Sequence, residues 1–170
     1  MDLAKGFTLE DPLVTIRFGM SERELQQLLG ERLRHITDGY YCLSCTSLGG
    51  LQHELGCHFK GGLNELEFFR KAYPDQVASF NEFQRHFEAV FGPPAETTPG
   101  SEGLPNHRWT LSGFEIIHVV YDRFGPEEHM RIRSTSSWPS DRRDNQPMQW
   151  SAAADIVSII RRLLGRGSGR

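Results

Sequence analysis

The sequence predicts an α+β fold: two helix–antiparallel-meander repeats whose strands join in one sheet, with the helices packed on one face, plus a C-terminal helix. Three observations lead there. Eleven Phe, four Tyr and three Trp in 170 residues favour a β-rich core. Two amphipathic stretches, near 21–29 and 79–91, carry helix start and stop signals. After each comes a series of short alternating runs broken by glycine turns.

The elements follow in order. Residues 12–18, "PLVTIRF", alternate as a strand. Ser21 then serves as an N-cap, Glu24 completes a capping box, and Leu25, Leu28 and Leu29 recur at helical spacing up to Gly30. Residues 40–48 and 51–59 form strands around Gly49-Gly50, with Leu51, His53, Leu55, Cys57 and Phe59 on one face and Gln52, Glu54, Gly56 and His58 on the other. "KGG" turns the chain into a third strand at 63–69. Ser79, with Glu82 three residues later, is read as the cap of a second helix with the stripe Phe80, Phe83, Phe87, Val90, Phe91, stopped by Gly92-Pro93-Pro94. Residues 95–106 read as loop, and strands are expected at 107–111, 114–122 and 128–133. Residues 134–148 read as irregular, and Ser151 opens the C-terminal helix.

The organisation expected is one domain, 1–170, with a first repeat at 12–70, a second at 74–133 and the tail at 134–170. Leu28-Leu29-Gly30 aligns with Val90-Phe91-Gly92, and Leu66-Glu67-Phe68 with Met130-Arg131-Ile132. A unit this small buries its apolar face poorly alone, which is why two should join.

"GMSERELQQLLG" followed by a meander resembles the unit of β-lactamase inhibitor proteins and of BamE-like lipoprotein domains. The resemblance implies a sheet used as a protein-binding surface. Those families' extracellular roles do not carry over, because no leader, lipobox cysteine or cysteine pair is visible here. In size, acidity and α+β layout the chain is also similar to small bacterial immunity proteins that neutralise type VI or contact-dependent toxins, which implies a toxin as partner.

Charge and cysteine content narrow the classes. A net charge of −3 argues against a general nucleic-acid binder, and no window is apolar enough for a membrane-spanning helix. Three cysteines cannot all pair within one chain. With no signal peptide in "MDLAKGFTLEDPLVTIRFGM", a cytoplasmic protein is expected. Residues 131–170 hold eight Arg against three Asp, so the first 130 residues carry the negative excess. An acidic body suits a basic protein partner.

The chemistry-bearing cluster is Cys42-x2-Cys45-x7-His53-x3-Cys57. Its residue types suit zinc. Strand alternation, however, sends Cys42 and Cys45 to opposite faces, and Leu43-Ser44 offers no turn residue to bring them together. His53 and Cys57 share their face with leucines, as buried thiols and core histidines do. His118 and Asp122 lie about 13 Å apart along one strand, too far for an acid–base pair. No His-Glu-x-x-His or Gly-x-Ser-x-Gly frame is present. The expectation is a non-catalytic protein-binding module without cofactor, an immunity protein that occludes a toxin. Its partner-binding residues are expected to be Gln52, Glu54, His58, Glu65, Glu67, Glu115, Glu127, Glu128 and Trp109. A zinc-binding regulatory or enzymatic domain, and a secretion adaptor, are the alternatives.

Overall fold

Two antiparallel meanders form the centre of the sheet. The first comprises β4 (Tyr40–Ser47), β5 (Leu51–Phe59) and β6 (Leu63–Phe69), and the second β8 (Asn106–Leu111), β9 (Phe114–Asp122) and β10 (Pro126–Ser134). The computed structural model describes residues 1–70, 75–122 and 126–135, with the side chains of 121–122 and 126–127 outside that description. The chain divides into two compact units, Met1–Trp138 and Pro139–Arg170, and every described residue lies in the first. The segment expected to hold a C-terminal helix lies outside the described residues.

Four shorter strands extend the meanders: β1 (Phe7–Asp11), β2 (Val14–Ile16), β3 (Arg34–Thr37) and β7 (Glu96–Thr98). The result is one ten-stranded antiparallel sheet in the order β2-β1-β4-β5-β6-β10-β9-β8-β7, with β3 also paired to β4. The join between the meanders is β6 against β10, in the register Leu66↔Ile132, Glu67↔Arg131, Phe68↔Met130. The two segments aligned as a repeat in the sequence are therefore direct cross-strand neighbours.

This overturns the expected fold class. The described chain is chiefly a ten-stranded sheet carrying two helices, not a helix-packed α+β repeat. The excess of sheet comes from segments of three to five residues, too short to display alternation. Residues 95–106, read as loop, contain β7. Residues 12–18, read as one strand, instead supply only β2, which folds back on an unforeseen β1 through Pro12-Leu13. Phe7 and Leu9 of β1 are fully buried, whereas Leu13 at the turn is exposed.

Helix α1 (Glu22–Leu29) starts at the capping box read from the sequence. The Ser21 N–H donates to Glu24 Oε2 at 2.7 Å, and the Glu24 N–H donates to Ser21 Oγ at 3.3 Å. Helix α2 (Gln76–Phe91) starts earlier than expected. Asp75 is its cap, accepting from the Ala78 N–H at 2.9 Å. Ser79 lies inside the first turns and donates its hydroxyl to Glu128 at 2.8 Å, while Glu82 pairs with Arg70. Gly92, at φ 79°, ends the helix. Among the described residues no helix is long and apolar enough to cross a membrane.

The core lies on one face of the sheet. Leu25 and Leu29 of α1, and Phe83 and Phe87 of α2, join Leu43, Leu51, Leu55, Leu66, Ile116 and Ile132 there. Its spine is aromatic: Phe7 meets Phe68 edge-on at 5.2 Å, and Phe68 meets Phe87 edge-on at 5.0 Å. Such contacts add to the area buried by each ring. Phe68 thus ties β1, β6 and α2 together. Phe68→Ala should lower unfolding stability by about 3–5 kcal/mol in urea titrations, one of the costliest single truncations in the chain.

Candidate functional site

The opposite face of the sheet carries charge. Alternation sends Glu65 and Glu67 of β6, His129, Arg131 and Arg133 of β10, Glu54 and His58 of β5, Tyr40 and Cys42 of β4, and Arg34 of β3 to this side. Most are buried: Glu67 is 1 % exposed, Glu54 5 %, and Arg131 and Glu65 6 % each. Buried charge survives only when paired and hydrogen-bonded, and here it is. Arg131 donates to Glu65 Oε1 at 3.1 Å and to Glu67 Oε1 at 2.8 Å, and Arg133 Nε donates to Glu65 Oε2 at 2.8 Å. The second Glu67 oxygen accepts from His58 Nε2 at 3.1 Å and from the Tyr40 hydroxyl at 3.2 Å. Arg34 and the Ser44 hydroxyl both donate to Glu54. Three guanidiniums thus meet three carboxylates.

Protonation follows from this geometry. Burial alone would raise the Glu67 carboxyl, but the Arg131 charge, with hydrogen bonds from His129 and His58, holds it well below its usual 4.5. Burial works against the Arg131 charge too, yet Glu67 and Glu65 raise its pKa. His129 Nδ1 lies 3.1 Å from Arg131 Nη2 and 3.6 Å from Glu67 Oε1, beside both members of the pair.

Gly56 has a defined place in this face. The Tyr40 ring lies across it, so a Cβ built there would sit 2.6 Å from the Tyr40 hydroxyl oxygen and 2.9 Å from Cε2. A glycine inside a strand marks such a close approach. The same ring packs on His58 at 4.4 Å, which helps hold the imidazole toward Glu67.

The cysteine–histidine cluster divides between the faces. Cys42 lies on the charged face, its thiol 3.4 Å from Glu54 Oε2. Cys45, His53 and Cys57 lie on the core face, and Cys45 and His53 are direct cross-strand partners. The Cys45 sulfur is 3.7 Å from His53 Nε2. His53 Nδ1–H donates to the Glu54 carbonyl at 3.0 Å, so Nε2 accepts the Ser47 hydroxyl proton at 2.7 Å. Burial pushes the Cys45 thiol up to about 12, helped by Glu54, and pushes His53 down to about 4. A protonated thiol beside a neutral imidazole is no thiolate nucleophile. Burial drives the Cys42 and Cys57 thiols upward as well. Among the described residues no group of three or more His, Cys, Asp or Glu is placed to hold a metal ion. An open cleft of about 430 Å³ lies at this rim, lined by Asp11, Ser44, Cys45, Gln52, His53 and Arg70 among others.

The residues expected to meet a partner scatter. Gln52 is exposed at that rim, and His58 is half-buried. Glu54, Glu65 and Glu67 are not free negative charges but are neutralised by Arg34, Arg131 and Arg133. Glu115 is half-buried and lies 3.5 Å from Arg108, which also reaches Glu96 at 3.9 Å. Glu127 falls in β10, with its side chain outside the described residues. Two expectations need correction. Trp109 is 1 % exposed in the core and donates its Nε1–H to the Gly92 carbonyl at 2.8 Å. Glu128 is buried on the core face, against His118. Strand alternation puts both inside. The arginine half of the charged face was missed in the sequence. Its signal was the matching spacing of Glu65-x-Glu67 and Arg131-x-Arg133.

Because the Glu67 carboxyl is depressed in the folded protein, its contribution is present above about pH 4.5 and is lost as pH falls below that. Glu67→Gln should cost about 3–5 kcal/mol at neutral pH and flatten the acid limb of stability, as read by urea titrations at a series of pH values. No family model, curated protein or solved structure matches this chain.

Proposed function

We propose that the chain is a non-catalytic protein-binding module, and specifically an immunity protein that occludes a cognate toxin in the cytoplasm. The observation that carries the reading is the state of the polar sheet face. Its buried carboxylates and guanidiniums neutralise one another, and on the core face burial keeps the Cys45 thiol protonated. A face whose buried charges are paired suits recognition, where preorganised groups lose little on binding.

One part of that face open to a partner lies at β7 and β8, beside Glu115 of β9. Glu96, Arg108 and Thr110 are exposed there, and Glu115 is half-buried beside them. Glu96 and Glu115, which share the Arg108 cation, give a basic toxin surface its approach. The likeness of "GMSERELQQLLG" plus a meander to the β-lactamase inhibitor unit supports the same use of a sheet.

Co-expression with the product of the adjacent gene should yield a stable complex and protect the host cell. A chain that neither binds nor protects would sink the reading. Glu96→Lys combined with Glu115→Lys should weaken such a complex about tenfold at low salt and less at high salt, mainly through the association rate. Unchanged binding would place the interface elsewhere.

A further inference from the structure

Helix α2 is fastened to the sheet by a polar cluster separate from the charged face. Four of its side chains, Gln76, Ser79, Phe80 and Gln84, converge on His118 of β9 and Glu128 of β10. The His118 and Glu128 side chains are 0 % and 1 % exposed. Phe80 stacks on the His118 ring at 3.9 Å. Ser79 Oγ donates to Glu128 Oε2 at 2.8 Å, and Gln76 Nε2 donates to the same oxygen at 3.3 Å.

Donor counting assigns the protons. Gln84 Nε2 donates to Glu88 Oε1 at 2.7 Å, which fixes the orientation of that amide. Its oxygen therefore faces His118 Nδ1, at 2.8 Å, and Nδ1 must carry hydrogen. His118 Nε2 then faces Glu128 Oε1 at 3.0 Å. A neutral ring with Nδ1–H opposite a carboxylate would set two lone pairs against each other. The contact is satisfied only if one further proton sits in it, on the ring or on the carboxyl.

We propose that His118 and Glu128 form a proton-operated clasp on helix α2, and that the arrangement in the structure is its proton-loaded state. Loss of that proton to solvent leaves a neutral ring and a carboxylate. The remaining ring hydrogen moves to Nε2 to face Glu128, and Nδ1 becomes an acceptor. The Gln84 amide must then turn over to donate, and its tie to Glu88 breaks. A buried protonation is thereby read out on the exposed side of α2.

Among the described residues, the titratable groups near His118 are Glu128 from β10, His107 from β8 with ring centres 6.3 Å apart, and Glu88 from α2 through Gln84. Burial lowers the His118 pKa against the opposing hydrogen bond and charge of Glu128, and burial with the nearby His118 lowers that of His107. The loaded state accordingly forms below the usual histidine range.

The test is a pH titration of the full chain by ¹⁵N NMR, following the His118 ring nitrogens and the Gln84 side-chain amide. Both should move with one midpoint. In Glu128→Gln, a carboxamide can accept from Ser79 and Gln76 and donate to His118 Nε2, which mimics the loaded state without a proton. The Gln84 amide should then stop responding to pH. Glu88→Ala, at an exposed site, removes the acceptor that orients Gln84, and should move the His118 midpoint to lower pH. A Gln84 amide that ignores the His118 titration in the wild type, or still follows it in Glu128→Gln, overturns the clasp. A His118 midpoint unmoved in Glu88→Ala does the same.

Discussion

The antiparallel pairing of β6 with β10 is the constraint on which the rest of the structure depends. It joins two meanders that would each be marginal alone. On the core side it sets Leu66 beside Ile132 and Phe68 beside Met130. On the other side it sets Glu67 beside Arg131 and Glu65 beside Arg133. The side-chain period along a strand is two, so a slip by one residue would invert both sets at once. Apolar and ionic patterns therefore enforce one register. The ionic half does so severely, because buried charges out of register would lack partners.

Desolvation shapes both faces of the first meander in different ways. On the charged face, burial is offset by guanidinium–carboxylate bonds, so Glu67 stays ionised. On the core face it is not offset, and Cys45 and His53 are driven to their neutral forms. Exposed polar side chains, Glu96, Arg108 and Thr110 among them, lie on β7 and β8.

Local signals were legible where they act locally. The Ser21–Glu24 capping box and the stop at Gly92 concern bonds within a few residues, whereas the Gly49 and Gly50 N–H groups of the turn donate to Glu10. The opposite faces of Cys42 and Cys45 also follow from local alternation. Ser79 misled because its hydroxyl serves Glu128, 49 residues away, while the plainer Asp75 caps the helix. β1 and β7 left no mark, since strands of three to five residues exist by pairing rather than by pattern. The acidic face read from Glu54, Glu65 and Glu67 was half of a neutral one. The arginines that complete it come from β3 and β10, and their arrival depends on sheet order.

Sequence alone determined the two amphipathic helices, the strand alternation that defines two faces, and the spacings that permit Glu65 and Glu67 to match Arg131 and Arg133. Tertiary structure decided that the sheet would reach ten strands, that Trp109 and Glu128 would be interior, and that α2 would close over His118. The reason is one of range. Propensity, capping and alternation act over a few bonds along the chain. Strand order, charge neutralisation and burial are settled between segments that meet only when the sheet assembles.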